Sequence, residues 1–83
     1  MGHARARPKN LAKKLLQIRQ ALGLSQSELV RELGVDIHYT NISKYELDKN
    51  EPPLDVLLAY ARRADVRLAD IVDDEIELRL DHS

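Results

Sequence analysis

Residues 25–34 constrain the fold most, because local sequence signals mark both the start and the end of a short helix within this segment. Ser25 and Glu28 have the spacing of a capping box, in which each side chain bonds a backbone N–H that the first helical turn leaves unpaired. Gly34 can take the left-handed conformation with which many helices end. A further helix is predicted over about residues 39–47, so the sequence indicates two short helices that meet at a corner.

Apolar side chains at helical spacing predict an all-α domain of five helices. After Asn10, leucine and isoleucine recur at helical spacing until Gly23 ends the first helix. His38, or a residue just before it, would be a weak N-cap for the third helix. Proline suits a first helical turn, which sets the start of the fourth helix. The predicted helices begin at Asn10 or Leu11, Gln26, Tyr39, Pro53 or Leu54, and Leu68, and the last ends at Val72.

Size and composition exclude several classes of protein. A chain of 83 residues supports one small domain, and a domain of this size buries only about 60% of its unfolded surface. It contains no cysteine, and His3, His38 and His82 do not have the spacing of metal ligands. No apolar run approaches the roughly 18 residues of a membrane span. We therefore expect a soluble, cytoplasmic protein without enzymatic activity, cofactor, metal ion or membrane contact.

The net charge of −1 hides a gradient along the chain. Residues 1–23 carry six basic side chains and no acidic one. Residues 24–50 carry three basic and five acidic side chains, and residues 51–83 carry four basic and nine acidic ones. This gradient predicts a basic N-terminal side that faces phosphate groups and an acidic C-terminal side that points away from them, towards a protein partner.

The C-terminal tail changes from helical periodicity to strict alternation. Ile76, Leu78 and Leu80 alternate with charged side chains, a pattern typical of a half-buried β-strand. An isolated strand leaves its backbone groups unpaired, so the same strand of a second copy would be its partner. A frayed or weakly helical tail is the alternative. The predicted divisions are a flexible basic arm over residues 1–9, a helical domain over residues 10–73, and a tail with a short dimerisation strand over residues 74–83.

A set of residues spread over roughly half of the chain follows the pattern of one family. Its members are Gln26, Leu29, Gly34, Ile42, Ser43, Glu46, Pro52, Leu57, Tyr60, Ala61 and Val66. In this order they resemble the helix-turn-helix domain of phage repressors, the Cro/C1-type or XRE family. The chain departs from that pattern in two places: residues 35–38 make the turn about two residues longer than usual, and Asp48 stands where glycine is common.

The resemblance implies that the third helix enters the major groove of DNA, where each base pair presents a distinct pattern of donors and acceptors. By this resemblance Tyr39, Thr40 and Lys44 would contact bases, although Tyr39 could instead pack across the helix corner. The family uses Gln26, at the first turn of the second helix, to hold a phosphate. The alternative for Gln26 is an ordinary exposed side chain. Further candidates for phosphate contacts are Ser43, Lys49 and Asn50.

Charged residues outside the base-contacting face also have predicted roles. Glu46 lies towards the inner side of the third helix and needs a partner, because an unpaired buried carboxylate is costly. The family pairs this glutamate with an arginine of the first helix, and Arg19 stands at the matching position; two solvated charges are the alternative. Arg5, Arg7 and Lys9 either form an arm that enters the minor groove or belong to a disordered, solubilising tail.

Together these features predict a small bacterial or phage transcriptional regulator that binds double-stranded DNA in a sequence-specific manner. One recognition helix covers few base pairs, so we expect a homodimer on half-sites about 34 Å apart, with helix five and the tail as its interface. Two other functions remain open. One is an antitoxin-type protein that neutralises a partner and regulates its own promoter, and the other is a protein-interaction module that has lost DNA binding.

Overall fold

The computed structural model describes residues 7–80 of the chain, and these residues fold into five helices. The structure confirms the all-α prediction, and residues 7–80 contain no β-strand. The third helix ends at Glu46, one residue before the predicted end. The helices are α1 (Leu11–Leu22), α2 (Gln26–Leu33), α3 (Tyr39–Glu46), α4 (Leu54–Ala64) and α5 (Leu68–Val72).

Residues with a left-handed backbone conformation end or follow four of the helices. Gly23 after α1 and Gly34 after α2 have φ angles of 69° and 67°. Asp48, which follows α3, and Asp65, which ends α4, have φ angles of 60° and 58°. Aspartate is one of the few residues that tolerate this region, since its short polar side chain can bond locally. The departure from the family's glycine at position 48 therefore keeps the backbone conformation that a glycine would adopt.

The apolar faces of all five helices meet in one core. α3 packs on α1 and α2, while α4 packs on α1, α2 and α5. The side chain of Tyr60, in the middle of α4, is fully buried, and burial is the main cause that raises its pKa. The capping box predicted at Ser25 and Glu28 is present and fixes the start of α2. The buried apolar residues are Leu11, Leu15, Ile18, Leu29, Leu33, Ile42, Tyr45, Val56, Leu57, Tyr60, Ala61, Ala64 and Ile71.

A buried lysine joins α1 to the C-terminal part of the chain. Lys14 is only 4% exposed. Its Nζ donates hydrogen bonds to the carbonyl oxygens of Asp70, Asp73 and Ile76, at 2.9, 2.8 and 2.7 Å. An ammonium group has three donors, so every one of them is used here. The carbonyl of Asp70 is one of the last four of α5 and Asp73 is its C-cap residue, so the positive charge also faces the negative end of that helix.

Asp74 connects the tail to the N-terminal end of α1. Its two carboxylate oxygens accept hydrogen bonds from the backbone N–H groups of Asn10, at 2.9 Å, and Lys9, at 2.7 Å. These bonds favour the ionised carboxylate and lower the pKa of Asp74. The acidic tail therefore lies against the basic helix α1. The predicted separation of charge into two opposite sides is wrong at this contact.

The rest of the tail is neither a strand nor a helix in residues 76–80. Leu78 and Leu80 pack against the core and are partly buried. A cavity of about 240 Å³ lies between α1 and the tail, with Lys13, Gln17 and Ile76 among its lining residues. The alternation of apolar and charged side chains thus corresponds to a segment that docks on the chain's own helices.

Replacing Lys14 with methionine tests the lysine contact, because methionine keeps the apolar stem and removes the three donors. We expect the free energy of unfolding in urea to fall by about 2–4 kcal/mol, since three carbonyls lose a charged donor. Lys13 is the neighbouring exposed lysine, and Lys13→Met serves as the control with an expected change within about 0.5 kcal/mol. Equal stability of the two variants would contradict a structural role for Lys14.

Candidate nucleic-acid interface

α3 presents one buried face and one exposed face. Ile42 and Tyr45 belong to the core. On the opposite face Thr40 and Lys44 are exposed, and Leu47, directly after the helix, is 61% exposed. The exposed face thus combines a hydroxyl, an ammonium group and an apolar side chain, which are the kinds of group that contact base edges and thymine methyl groups.

A network of charged side chains on the inner side of α3 joins this helix to α1. The Arg19 guanidinium donates from Nε to one Glu46 carboxylate oxygen at 2.7 Å and from Nη2 to the other at 3.0 Å. The two side chains are 20% and 6% exposed. Arg19 Nη1 also donates to the carbonyl oxygen of Leu24, at 3.0 Å, in the segment that leads into α2. The bond to Glu46 is the main cause that raises the pKa of Arg19.

Gln26 joins this network from the first turn of α2. Its Nε2 donates to Glu46 Oε1 at 3.2 Å, so one amide proton points inward. An amide group carries a second N–H and an acceptor oxygen as well. The contact with Glu46 fixes the orientation of the Gln26 side chain and does not use these other polar groups.

The N-terminal end of α3 agrees with the sequence prediction. His38 is the N-cap residue, and its Nδ1 accepts the backbone N–H of Thr40 at 3.3 Å. The ring centroid of Tyr39 lies 4.4 Å from that of His38, and Tyr39 is 46% exposed. Tyr39 also lines a groove of about 280 Å³ between α2 and α3, together with Val30 and Ile37. It therefore packs at the corner and remains partly accessible.

The loop after α3 folds back on the helix. The backbone N–H groups of Lys49 and Asn50 donate to the carbonyl oxygen of Lys44, at 2.8 and 3.4 Å, and both residues are exposed. Arg7 Nη1 donates to the carbonyl oxygen of Asp48 at 2.7 Å and to its carboxylate Oδ1 at 2.8 Å. Arg7 therefore lies against the exit of α3, where a cation satisfies an otherwise unpaired carbonyl.

The structure brings most of the predicted DNA-contacting residues together around α3. Arg19 and Glu46 lie in contact behind it, and the exposed side chain of Lys9 lies at the start of α1. Arg5 lies outside the described residues. Ile76, Leu78 and Leu80 belong to the docked tail. The residues on the α3 side are Gln26, Tyr39, Thr40, Ser43, Lys44, Lys49 and Asn50.

Sequence reasoning predicted the cap of α3 but missed the contact after its C-terminal end. Histidine is not a preferred N-cap residue, yet His38 accepts the Thr40 N–H. Arg7 and Asp48 are 41 residues apart in sequence, and no local pattern pairs them. Asp48 alone carried a signal, because a non-glycine residue at a left-handed position is worth inspection.

The geometry of α2 and α3 agrees with a comparison against protein families. A family model described as Helix-turn-helix, HTH_3, matches residues 15–71, which is more than half of the chain. The chain belongs to the Cro/C1-type (XRE) helix-turn-helix family. It is therefore a DNA-binding helix-turn-helix protein of a family of transcriptional regulators. Comparisons with curated proteins and with solved structures gave no significant match.

No helix within residues 7–80 is long and apolar enough to cross a membrane. The same residues contain no group of His, Asp and Glu side chains that could hold a metal ion.

Replacing Glu46 with alanine tests the network behind α3. We expect a loss of about 2–3 kcal/mol in the free energy of unfolding, because Arg19 would be left partly buried without its carboxylate partner. Glu32 provides a matched control, since it pairs with Arg63 on the surface with side chains 45% and 37% exposed. Exposed pairs contribute about 0–1 kcal/mol, so Glu32→Ala should lose less. Similar losses in both variants, measured by urea unfolding, would refute the structural importance of the network.

Proposed function

We propose that this protein is a transcriptional regulator that binds specific double-stranded DNA as a homodimer, with α3 in the major groove. The main support is the contrast between the two faces of α3. The inner face is tied to α1 and α2 through Glu46, while the outer face is left exposed. A recognition helix needs both properties, because base contacts require fixed geometry and free side chains. Such a regulator would act in the cytoplasm, where bacterial DNA is found.

Base contacts are assigned to the outer face and N-terminal end of α3. Lys44 suits the O6 and N7 acceptors of guanine, and Thr40 suits a thymine methyl or a hydrogen bond. Tyr39 is the third candidate, because it is partly exposed beside the N-terminal end of the helix. These three residues would carry the sequence specificity, since contacts with phosphate groups do not distinguish bases.

Phosphate contacts are assigned to the first turn of α2 and to the loop after α3. At the α2 N-terminus, unpaired backbone N–H groups and the helix dipole favour an anion beside Gln26. Lys49 and Asn50 are exposed at the other end of the site. Ser43, in α3 between the two ends, is half-buried. Contacts at both ends would fix the register of α3 along the groove.

The N-terminal arm receives a more limited role in this proposal. Insertion of Arg7 into a minor groove would break its two hydrogen bonds with Asp48. We therefore assign Arg7 to neutralising Asp48 beside the phosphate-contacting loop, where a free carboxylate would repel DNA. Arg5 and Lys9 remain the candidates for contacts with the minor groove.

Selection of bound duplexes from a random pool tests the function and supplies a probe. We expect enrichment of a two-fold symmetric site with half-sites about one helical turn apart. On that duplex Lys44→Ala should lose about tenfold in affinity and relax the preference at one base pair. Gln26→Ala should weaken binding to all sequences to a similar extent, because its contact is with phosphate.

Lys13 lies on the side of the tail, so Lys13→Ala is the matched control and should bind as the wild type does. Thermal unfolding of each variant separates a lost contact from a lost fold. Unchanged affinity in both Lys44→Ala and Gln26→Ala would refute this placement of the site. Absence of any enriched motif, together with binding that does not weaken in salt, would refute DNA binding altogether.

The homodimer is proposed to form through α5 and the tail. Within residues 7–80, the N–H and C=O groups of residues 77–80 make no hydrogen bond. A segment with alternating apolar residues and free backbone groups can accept a second strand, and a second copy offers the same strand in antiparallel orientation. The two recognition helices would then be related by the two-fold axis that symmetric operators require.

A proline at position 79 tests strand pairing, because proline removes a backbone N–H. Arg79 is exposed, so the substitution alters no buried side chain. We expect Arg79→Pro to shift the mass in solution from dimer towards monomer at micromolar concentration, whereas Arg79→Ala remains dimeric. Deleting residues 74–83 would also remove the Asp74 cap of α1, so the point substitution is the cleaner test. A dimeric Arg79→Pro variant with normal helix content would rule out pairing through the tail.

An antitoxin-type function has less support than DNA binding alone. Some of the acidic side chains that would bind a partner already form hydrogen bonds within the chain. Asp74 caps α1, and Asp70 accepts hydrogen bonds from Arg67. A protein-interaction module without DNA binding is opposed by the exposed Lys44 and Lys49 at the outer side of α3. The salt dependence of binding distinguishes this last function from the proposed one.

A further inference from the structure

His38 makes two polar contacts with Thr40 through the same ring nitrogen. Nδ1 accepts the backbone N–H of Thr40 at 3.3 Å. The Thr40 hydroxyl Oγ1 lies 3.0 Å from the same Nδ1. Thr40 is exposed on the face of α3 to which base contacts are assigned above. The donor or acceptor role of Nδ1 therefore determines the direction of its hydrogen bond with the Thr40 hydroxyl.

The backbone contact fixes which ring nitrogen carries the proton. A nitrogen that accepts an N–H bond has no proton of its own, so the neutral ring is protonated at Nε2. Nδ1 can then only accept from the Thr40 hydroxyl as well. If the hydroxyl proton pointed elsewhere, two lone pairs would face each other at 3.0 Å. The hydroxyl proton of Thr40 is thus directed towards His38, and Nδ1 shares its lone pair between two donors.

Contacts of the neighbouring residues order the turn that carries the exposed His38. Ile37, the residue before it, is partly buried against the core. The backbone N–H of Ile37 donates to the carbonyl oxygen of Val35 at 3.0 Å, which closes the turn locally. The Tyr39 ring contacts the His38 ring on the other side. The extra residues of the turn therefore place an imidazole at the start of the recognition helix.

We propose that His38 determines base specificity by setting the hydrogen-bond polarity of Thr40, an inference that rests on the proposed function of α3. With its proton directed to His38, Thr40 offers only acceptor lone pairs and a methyl group to the major groove. Those groups match the amino groups of adenine and cytosine and the methyl group of thymine. They do not match guanine, or thymine O4, which need a donor. His38 is a positioning residue here, because it acts on the base through Thr40.

Selection from a random pool, sequenced in parallel for several variants, tests this assignment. Thr40→Ala first identifies the base pair that Thr40 contacts, as the position whose preference it removes. At that position the wild type should favour one base pair over the others by about fivefold or more. His38→Ala frees the hydroxyl to donate or accept, so the preference should fall to within about twofold.

His38→Asn is the rescue variant, because an asparagine oxygen at an N-cap also accepts both groups of Thr40. It should retain the wild-type preference. A purely structural role of His38 would weaken binding to all sequences equally and leave the preference at this position unchanged. Thermal unfolding of the two His38 variants shows whether the cap itself is lost.

Two outcomes would overturn the inference. One is an equal preference at the Thr40 position for wild type and His38→Ala. The other is loss of the preference in His38→Asn as well as in His38→Ala. A wild-type selection without any enriched motif would instead contradict the proposed function, so the two failures can be told apart.

Discussion

The contact between Arg19 and Glu46 fixes the orientation of α3, because it joins three helices at one point. Arg19 comes from α1, Glu46 from α3, and the amide of Gln26 reaches the same carboxylate from the start of α2. Charges this far from solvent are costly unless their hydrogen-bonding groups are satisfied. A guanidinium that meets a carboxylate at two points also defines an angle, which an apolar contact does not. Rotation of α3 would therefore break the contact between Arg19 and Glu46. This restraint fixes the direction in which the outer face of α3 points.

α1 is held by charged groups at three places along its length, and this changes the meaning of the charge gradient. Lys14 and Arg19 are bonded within the chain, and Asp74 is bonded to the backbone at the helix start. Such charges contribute to the fold and add little to the attraction of DNA. On the outer face of α3 and in the loop after it, the exposed cations are Lys44 and Lys49, and Arg7 offsets Asp48. Net charge summed along the sequence is a poor guide to the charge of the interface.

Local signals predicted the helices well, whereas the contacts between distant segments required the structure. Both ends of α2 follow from its capping box and terminal glycine, which act within a few residues. Lys14 offered a signal that sequence reasoning missed, because it lies at the helical spacing of the buried Leu11, Leu15 and Ile18. A lysine on a buried stripe demands acceptors. The identity of those acceptors, 56 to 62 residues away, depends on how the tail docks.

Two residues define the ends of α3. At the N-terminal end His38 is the cap, and after the C-terminal end Asp48 takes the left-handed conformation, where Arg7 bonds it. The helix between them has eight residues, which corresponds to about 12 Å along its axis. At about 3.4 Å per base pair this length meets roughly three or four base pairs. So short a contact cannot select one site among the millions in a genome. The short length of α3 is therefore the physical reason for proposing a second copy on a symmetric site.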